Sequence, residues 1–147
     1  EDAMIVRTAA LFHDVGYLDV YSKNEPFGCK RAKNTLPSWG YSEEQIGEIC
    51  ECIMATQLPQ SPKSHNAQIL CDADLSHLGS KEYFLRAERL RLELAEHGVV
   101  LTQRKWQESN MGFLKSHEYF TESAKKEFSA MKEENIKRID ELLHQKE

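Results

Sequence analysis

What this chain has little of narrows it first. No apolar run approaches the ~20 residues needed to cross a bilayer, and no charged-then-apolar leader stretch is present in it. Basic residues are outnumbered, 19 Lys and Arg against 24 Asp and Glu. The resulting net charge of −5 argues against a broad nucleic-acid footprint. A local basic cluster remains free to hold a phosphorylated small molecule. The four cysteines, Cys29, Cys50, Cys52 and Cys71, contain no CxxC pair of the zinc type. Cys50 and Cys52 stand too close for an easy mutual disulfide. All four read as reduced, half-buried thiols of a cytoplasmic protein. No repeat, low-complexity stretch or linker divides the chain, and 147 residues suit one domain with a real core.

What is there reads as helix almost throughout. From Asp2 to Asp14 the run is rich in Ala, Met, Leu and Phe and apolar nearly all round after Thr8, which predicts a buried central helix. Gly16 supplies a helix stop. A polar loop over residues 17–25 follows, then a short helix from about Pro26 to Leu36, broken by Pro37, Ser38 and Gly40. Ser42-Glu43-Glu44-Gln45 spells a capping box. Ile46, Ile49, Cys50 and Ile53 behind it recur at helical spacing. Further helices are expected over about Ser64–Leu75, Lys81–His97 (closed by Gly98), a segment capped by Thr102 that carries Trp106, and about Thr121–Gln145. Ala124, Phe128, Met131, Ile139 and Leu142 form the last helix's apolar stripe. The fold class is therefore all-α, a multi-helix bundle of six to eight helices in one domain, with a core over about 1–97 and a C-terminal helical extension over about 98–147. Glu1-Asp2-Ala3-Met4 enters directly into helical pattern, as expected of an N-terminally truncated chain that begins inside a larger sequence.

Two acidic sites each end an apolar run. His13-Asp14 closes Ala9-Ala10-Leu11-Phe12, and Asp72-Ala73-Asp74-Leu75 closes Ile69-Leu70-Cys71. A carboxylate there is costly to bury without compensation, and a bound cation is one compensation. Adjacent helical residues diverge by about 100°, so His13 and Asp14 serve one ion only where the helix ends. Imidazole with carboxylate suits Mn, Fe, Ni, Co or Zn, and carboxylate with water suits Mg or Mn. Either site alone reads first as a solvated polar turn, and it is the two together that point to an ion. Asp72 and Asp74 point in different directions on a helix, so one is a ligand candidate and the other a supporting or capping group.

Leu11-Phe12-His13-Asp14-Val15-Gly16, followed by Asp72-Ala73-Asp74-Leu75, resembles the signature of the HD superfamily of metal-dependent phosphohydrolases. Asp74-Leu75-Ser76-His77 is similar to the last metal-ligand region of cyclic nucleotide phosphodiesterases, which share that fold. Residues from 81 onward look like the helical extension of a bacterial group of predicted HD phosphohydrolases. The resemblance implies His13, Asp14 and Asp74 as metal ligands, with Asp14 placed to bridge two ions. It also implies an earlier His, and none precedes residue 13. That ligand lies upstream of Glu1, or is lost, or is replaced by His65 or His77. Related groups carry a His-Glu pair after the His-Asp motif. Here the pair is Asn24-Glu25, so Glu25 is the candidate to orient or deprotonate water, or else a first-turn acid favoured by the helix dipole.

Among the basic residues after the motif, Lys30 and Arg31 are the candidate substrate-binding groups, Arg the better bidentate partner for phosphate. A solvated basic helix face is the plain alternative. His117 reads as packing among Phe113, Leu114 and Phe120, and Trp39 and Trp106 as structural. The expected activity is hydrolysis of a nucleotide or other small phosphate ester by metal-activated water, with no nucleic-acid or membrane partner. A homodimer is compatible with the sequence. The missing His and Asn24 motivate the alternative of a non-catalytic HD-fold ligand-binding or regulatory module. A helical interaction bundle with empty acidic sites is the third reading.

Overall fold

Seven α-helices joined by short turns make up the computed structural model, which describes residues Glu1 to His144. They are α1 (Asp2–Phe12), α2 (Glu25–Thr35), α3 (Glu43–Ala55), α4 (His65–Asp74), α5 (Tyr83–Glu96), α6 (Gln103–Ser116) and α7 (Glu122–His144). Single 3-10 turns occupy Val15–Leu18, Leu36–Trp39 and Ser76–Gly79. No strand occurs among the described residues, so the all-α expectation holds. Gln145, where the sequence pattern ends the last helix, lies outside the described residues. The chain falls into two compact units, Glu1–Asp74 and Leu75–Glu147, the boundary coming directly after Asp74.

In the first unit α3 is the central helix, packed on α1, α2 and α4. Its capping box forms as its sequence dictates. Ser42 Oγ accepts from the Gln45 N–H at 3.2 Å, and Gln45 Oε1 accepts from the Ser42 N–H at 2.9 Å. Ile46, Ile49, Cys50 and Ile53 are buried along one stripe. α1 buries Ile5, Thr8, Ala9 and Phe12 at the same spacing. It is not the all-round buried helix its composition suggests: Leu11 is 72% exposed. Leu11 sits about 200° around the helix from Ala9, on the side away from α3 and α4.

Gly16 also plays a different part from a helix stop. α1 has already ended at Phe12, and Gly16 lies inside the 3-10 turn, buried. A Cβ there would stand 1.9 Å from the carbonyl oxygen of Asn24. Gly28 does the same service from α2, where a Cβ would meet the Phe12 carbonyl oxygen at 2.7 Å. Both glycines are needed because two backbones cross there, not because a turn needs a positive φ. Trp39 does not pack inside. It is 61% exposed and meets the Phe12 ring edge to face, with 6.2 Å between ring centroids.

The second unit has its own core of Leu75, Leu78, Tyr83, Met111, Leu114 and Ile139. α7 buries Ala124 and Ile139 of the expected stripe, but Leu142 is exposed, and Lys132 and Asn135 are buried in its place. Asn135 sits at 0% exposure with Nδ2 donating to the carbonyls of Leu78 and Ser80, each at 3.0 Å. It ties α7 to the turn over Ser76–Gly79. Gly79 permits that approach, since a Cβ there would meet the Phe128 carbonyl oxygen at 2.3 Å.

Candidate metal centre

The first unit brings together the two acidic sites that are 61 positions apart in sequence. The His13 N–H still makes the helical bond to Ala9 O at 2.9 Å, and the chain leaves the helix at Asp14, with φ −99° and ψ −3°. That turn lets neighbouring side chains face one point, which a continuing helix forbids. His13 Nδ1 donates to the Ala10 carbonyl at 2.8 Å, fixing the ring. Nε2 then lies 3.2 Å from Asp14 Oδ2 and 3.6 Å from Asp74 Oδ1. Asp74 arrives as the last residue of α4, half-buried. Asp72, its alternative, is buried at 3% exposure on the same helix.

Electrostatics follow from that crowding. Hydrogen bonding to Asp14 foremost, and then to Asp74, holds the His13 imidazolium to a pKa of about 10, against the opposing effect of burial. Asp74 has a support invisible in sequence. Gln60, in the loop before α4, donates from Nε2 to Asp74 Oδ2 and to Cys71 O, each at 3.2 Å. No motif marks Gln60, because the loop that carries it returns toward the end of α4 only in three dimensions.

Glu25 is the first residue of α2, directly after the buried Asn24. Glu25 Oε2 and Asn24 Oδ1 are buried acceptors without a hydrogen-bond partner, as is Gln60 Oε1. Tyr17 connects this end of α2 to the His-Asp turn. Its hydroxyl pKa is raised by burial first and then by the charges of Asp14 and Glu25, with a bond to Asn24 opposing. Lys30 is exposed on α2. Arg31 is engaged elsewhere: its guanidinium forks onto Asp19, Nε to Oδ2 at 2.8 Å and Nη2 to Oδ1 at 3.1 Å. His65 begins α4, about 14 Å along the axis from Asp74 at the other end, too far to complete this site. His77 lies in the second unit, in the turn over Ser76–Gly79. His117 packs against Tyr119 with ring centroids 4.6 Å apart, in keeping with a packing role.

The donor set suits a divalent cation in chemistry. Two carboxylates meet one imidazole nitrogen, and Gln60, whose amide holds Asp74, keeps a buried Oε1 acceptor without a partner. Among the described residues no trio of His, Cys, Asp or Glu is arranged around a common centre. The carboxylates instead close directly on Nε2, which carries the proton. No family model matches the chain, and neither a curated protein nor a solved structure matches it.

Proposed function

We propose that this chain is a metal-dependent phosphohydrolase of HD-domain type that acts on a nucleotide or other small phosphate ester. The observation that carries the reading is the meeting of His13, Asp14 and Asp74 across 61 positions. These three would hold the divalent cation, of the class Mn, Mg, Fe, Ni, Co or Zn. When bound, such an ion supplies an acidified water and offsets charge on phosphoryl oxygens.

The chain's own residues do the rest. His13 would have to give up its Nε2 proton to serve as a ligand, and Ala10 O, bonded to Nδ1, would keep the other nitrogen as the donor and so fix the tautomer. Gln60 keeps Asp74 turned toward the site. Glu25 is the group to take the proton from the attacking water, since Oε2 has no competing donor. Lys30 offers an exposed ammonium to the substrate phosphate. Arg31 joins it only by exchanging Asp19 for phosphate, a swap between two bidentate partners.

One observation favours a second reading. The imidazolium already has both carboxylates as partners, an arrangement that suits a non-catalytic ligand-binding or regulatory module equally well. Metal analysis of the purified protein and a phosphoester screen, run beside Asp14→Ala, separate the two. The hydrolase reading expects bound divalent metal and turnover, both lost in Asp14→Ala. No metal, and no hydrolysis above the Asp14→Ala background, overturns it.

A further inference from the structure

The buried face between α2 and α3 holds two thiols that the site chemistry does not use. Cys29 sits on α2 and Cys50 on α3, 7% and 8% exposed. Each sulfur reaches across to the other residue's backbone: Cys29 Sγ lies 3.5 Å from Cys50 O, and Cys50 Sγ lies 3.8 Å from Cys29 O. Reciprocal contacts of this kind put both sulfurs in the one gap between two packed helices. Cys52 and Cys71 are at 1% and 0% exposure, and Cys71 Sγ is directed to Ala55 O at 3.2 Å.

We propose that Cys29 and Cys50 are a modification site: a dithiol that a hydroperoxide converts reversibly to a disulfide joining α2 to α3. The inference is independent of the metal reading. Geometry requires neighbouring sulfurs on separate elements, which the crossed contacts supply. Reactivity requires one thiolate. Cys50 is the sulfur that ionises more readily, because its thiolate would accept the Cys29 S–H in place of the Cys50 carbonyl and Lys33 adds positive potential, while Cys29 is held protonated as that donor. Burial instead pushes Cys52 up to about 11 and Cys71 up to about 12, leaving both inert at neutral pH.

The chemistry balances with hydrogen peroxide as the oxidant. The Cys50 thiolate attacks one peroxide oxygen, forming S–O and breaking O–O. The released hydroxide takes a proton and leaves as water, and Cys50 is a sulfenic acid. Cys29 sulfur then attacks the Cys50 sulfur, forming S–S and breaking S–O. The departing hydroxide takes the Cys29 thiol proton as a second water. Two thiols lose two electrons and one peroxide gains them. The reaction leaves Cys52 and Cys71 as thiols.

The test treats the whole protein with hydrogen peroxide after removing metal with a chelator. Remaining thiols are blocked, and digestion after both Lys and Glu follows. Cleavage at Glu51 separates Cys50 from Cys52, so the partner is unambiguous. The expected result is loss of two of the four thiols, a mass decrease of two hydrogens, a Cys29–Cys50 cross-linked peptide, and full reversal by dithiothreitol. Cys29→Ser should instead trap Cys50 as a sulfenic acid that a dimedone probe captures. If that variant does not fold, the wild-type peptide map still decides. A cross-link through Cys52 or Cys71, uniform oxidation of all four cysteines, or unreacted Cys29 and Cys50 at peroxide levels that oxidise exposed methionine overturns the proposal.

Discussion

A methyl group on Gly16 would stand 1.9 Å from the carbonyl oxygen of Asn24. The chain leaving α1 and the chain entering α2 therefore touch backbone to backbone. This contact places Asp14 and Glu25 at one end of the first unit. Gly16→Ala must push the Asn24 peptide aside, and the backbone yields less readily than a side chain. Urea titration should show a loss of about 1–3 kcal/mol. The Tyr17 hydroxyl pKa should move as well, since Asp14, Asn24 and Glu25 all act on it.

The His13 cluster makes the metal-free protein sensitive to alkali. The folded imidazolium has a pKa of about 10 against 6.5 when unpartnered. Its contribution is thus complete below about pH 6.5 and is lost as pH rises through about 10. Asp14 is 62% exposed, so solvent screening reduces the contribution to about 2 kcal/mol. Unfolding free energies measured in chelator from pH 6 to 10 should converge for wild type and His13→Gln as pH rises. A constant gap between them would show that the ion pairs do not carry it.

Gln60→Leu removes the amide that holds Asp74 while keeping similar volume. On the hydrolase reading, divalent-metal affinity should fall about 10–100-fold, read from the midpoint of a thermal-shift titration with Mn or Zn salts. A loss of stability of similar size, about 1–3 kcal/mol, comes with it because the Cys71 carbonyl loses the Gln60 donor.

Asn135 gives the second unit a separate test. Its Nδ2 serves two carbonyls, of Leu78 and Ser80. Asn135→Leu leaves both without that donor and should cost about 2–4 kcal/mol. Asn135→Asp should be worse, because a carboxylate offers acceptors to acceptors. Far-ultraviolet circular dichroism during heating would show both.

Local rules made the helices readable. The Ser42–Gln45 box, the spacing of Ile46, Ile49 and Ile53, and Thr102 capping α6 through the Lys105 N–H each act within one turn of chain. The candidate site was half readable. His13 and Asp14 stood out because donor residues ended an apolar run, Asp74 was preferred to Asp72 only on the resemblance to the HD signature, and the structure brings the three together. Gln60 was hidden because glutamine in a proline-bearing loop has no periodicity to betray its partner. Gly16 and Gly28 were misread or passed over for a related reason. Their need for a missing Cβ arises from a second strand of backbone many residues away, while sequence patterns report only the first. Asn135 and Lys132 took core positions from Leu142, since α7 turns a polar stripe inward where carbonyls at Leu78, Ser80 and His117 ask for donors. Composition alone argues the opposite.

Asp74 is the last residue of the first unit, and its partner His13 directly follows the unit's opening helix. The pair therefore closes a loop that contains nearly all of that unit. Closing a loop of that length costs entropy, and the packing of α2 and α3 between its ends offsets that cost. The candidate centre is in this sense a completion mark. Loosening α2 or α3 makes its two ends costlier to bring together, so the centre reports on the packing of the first unit.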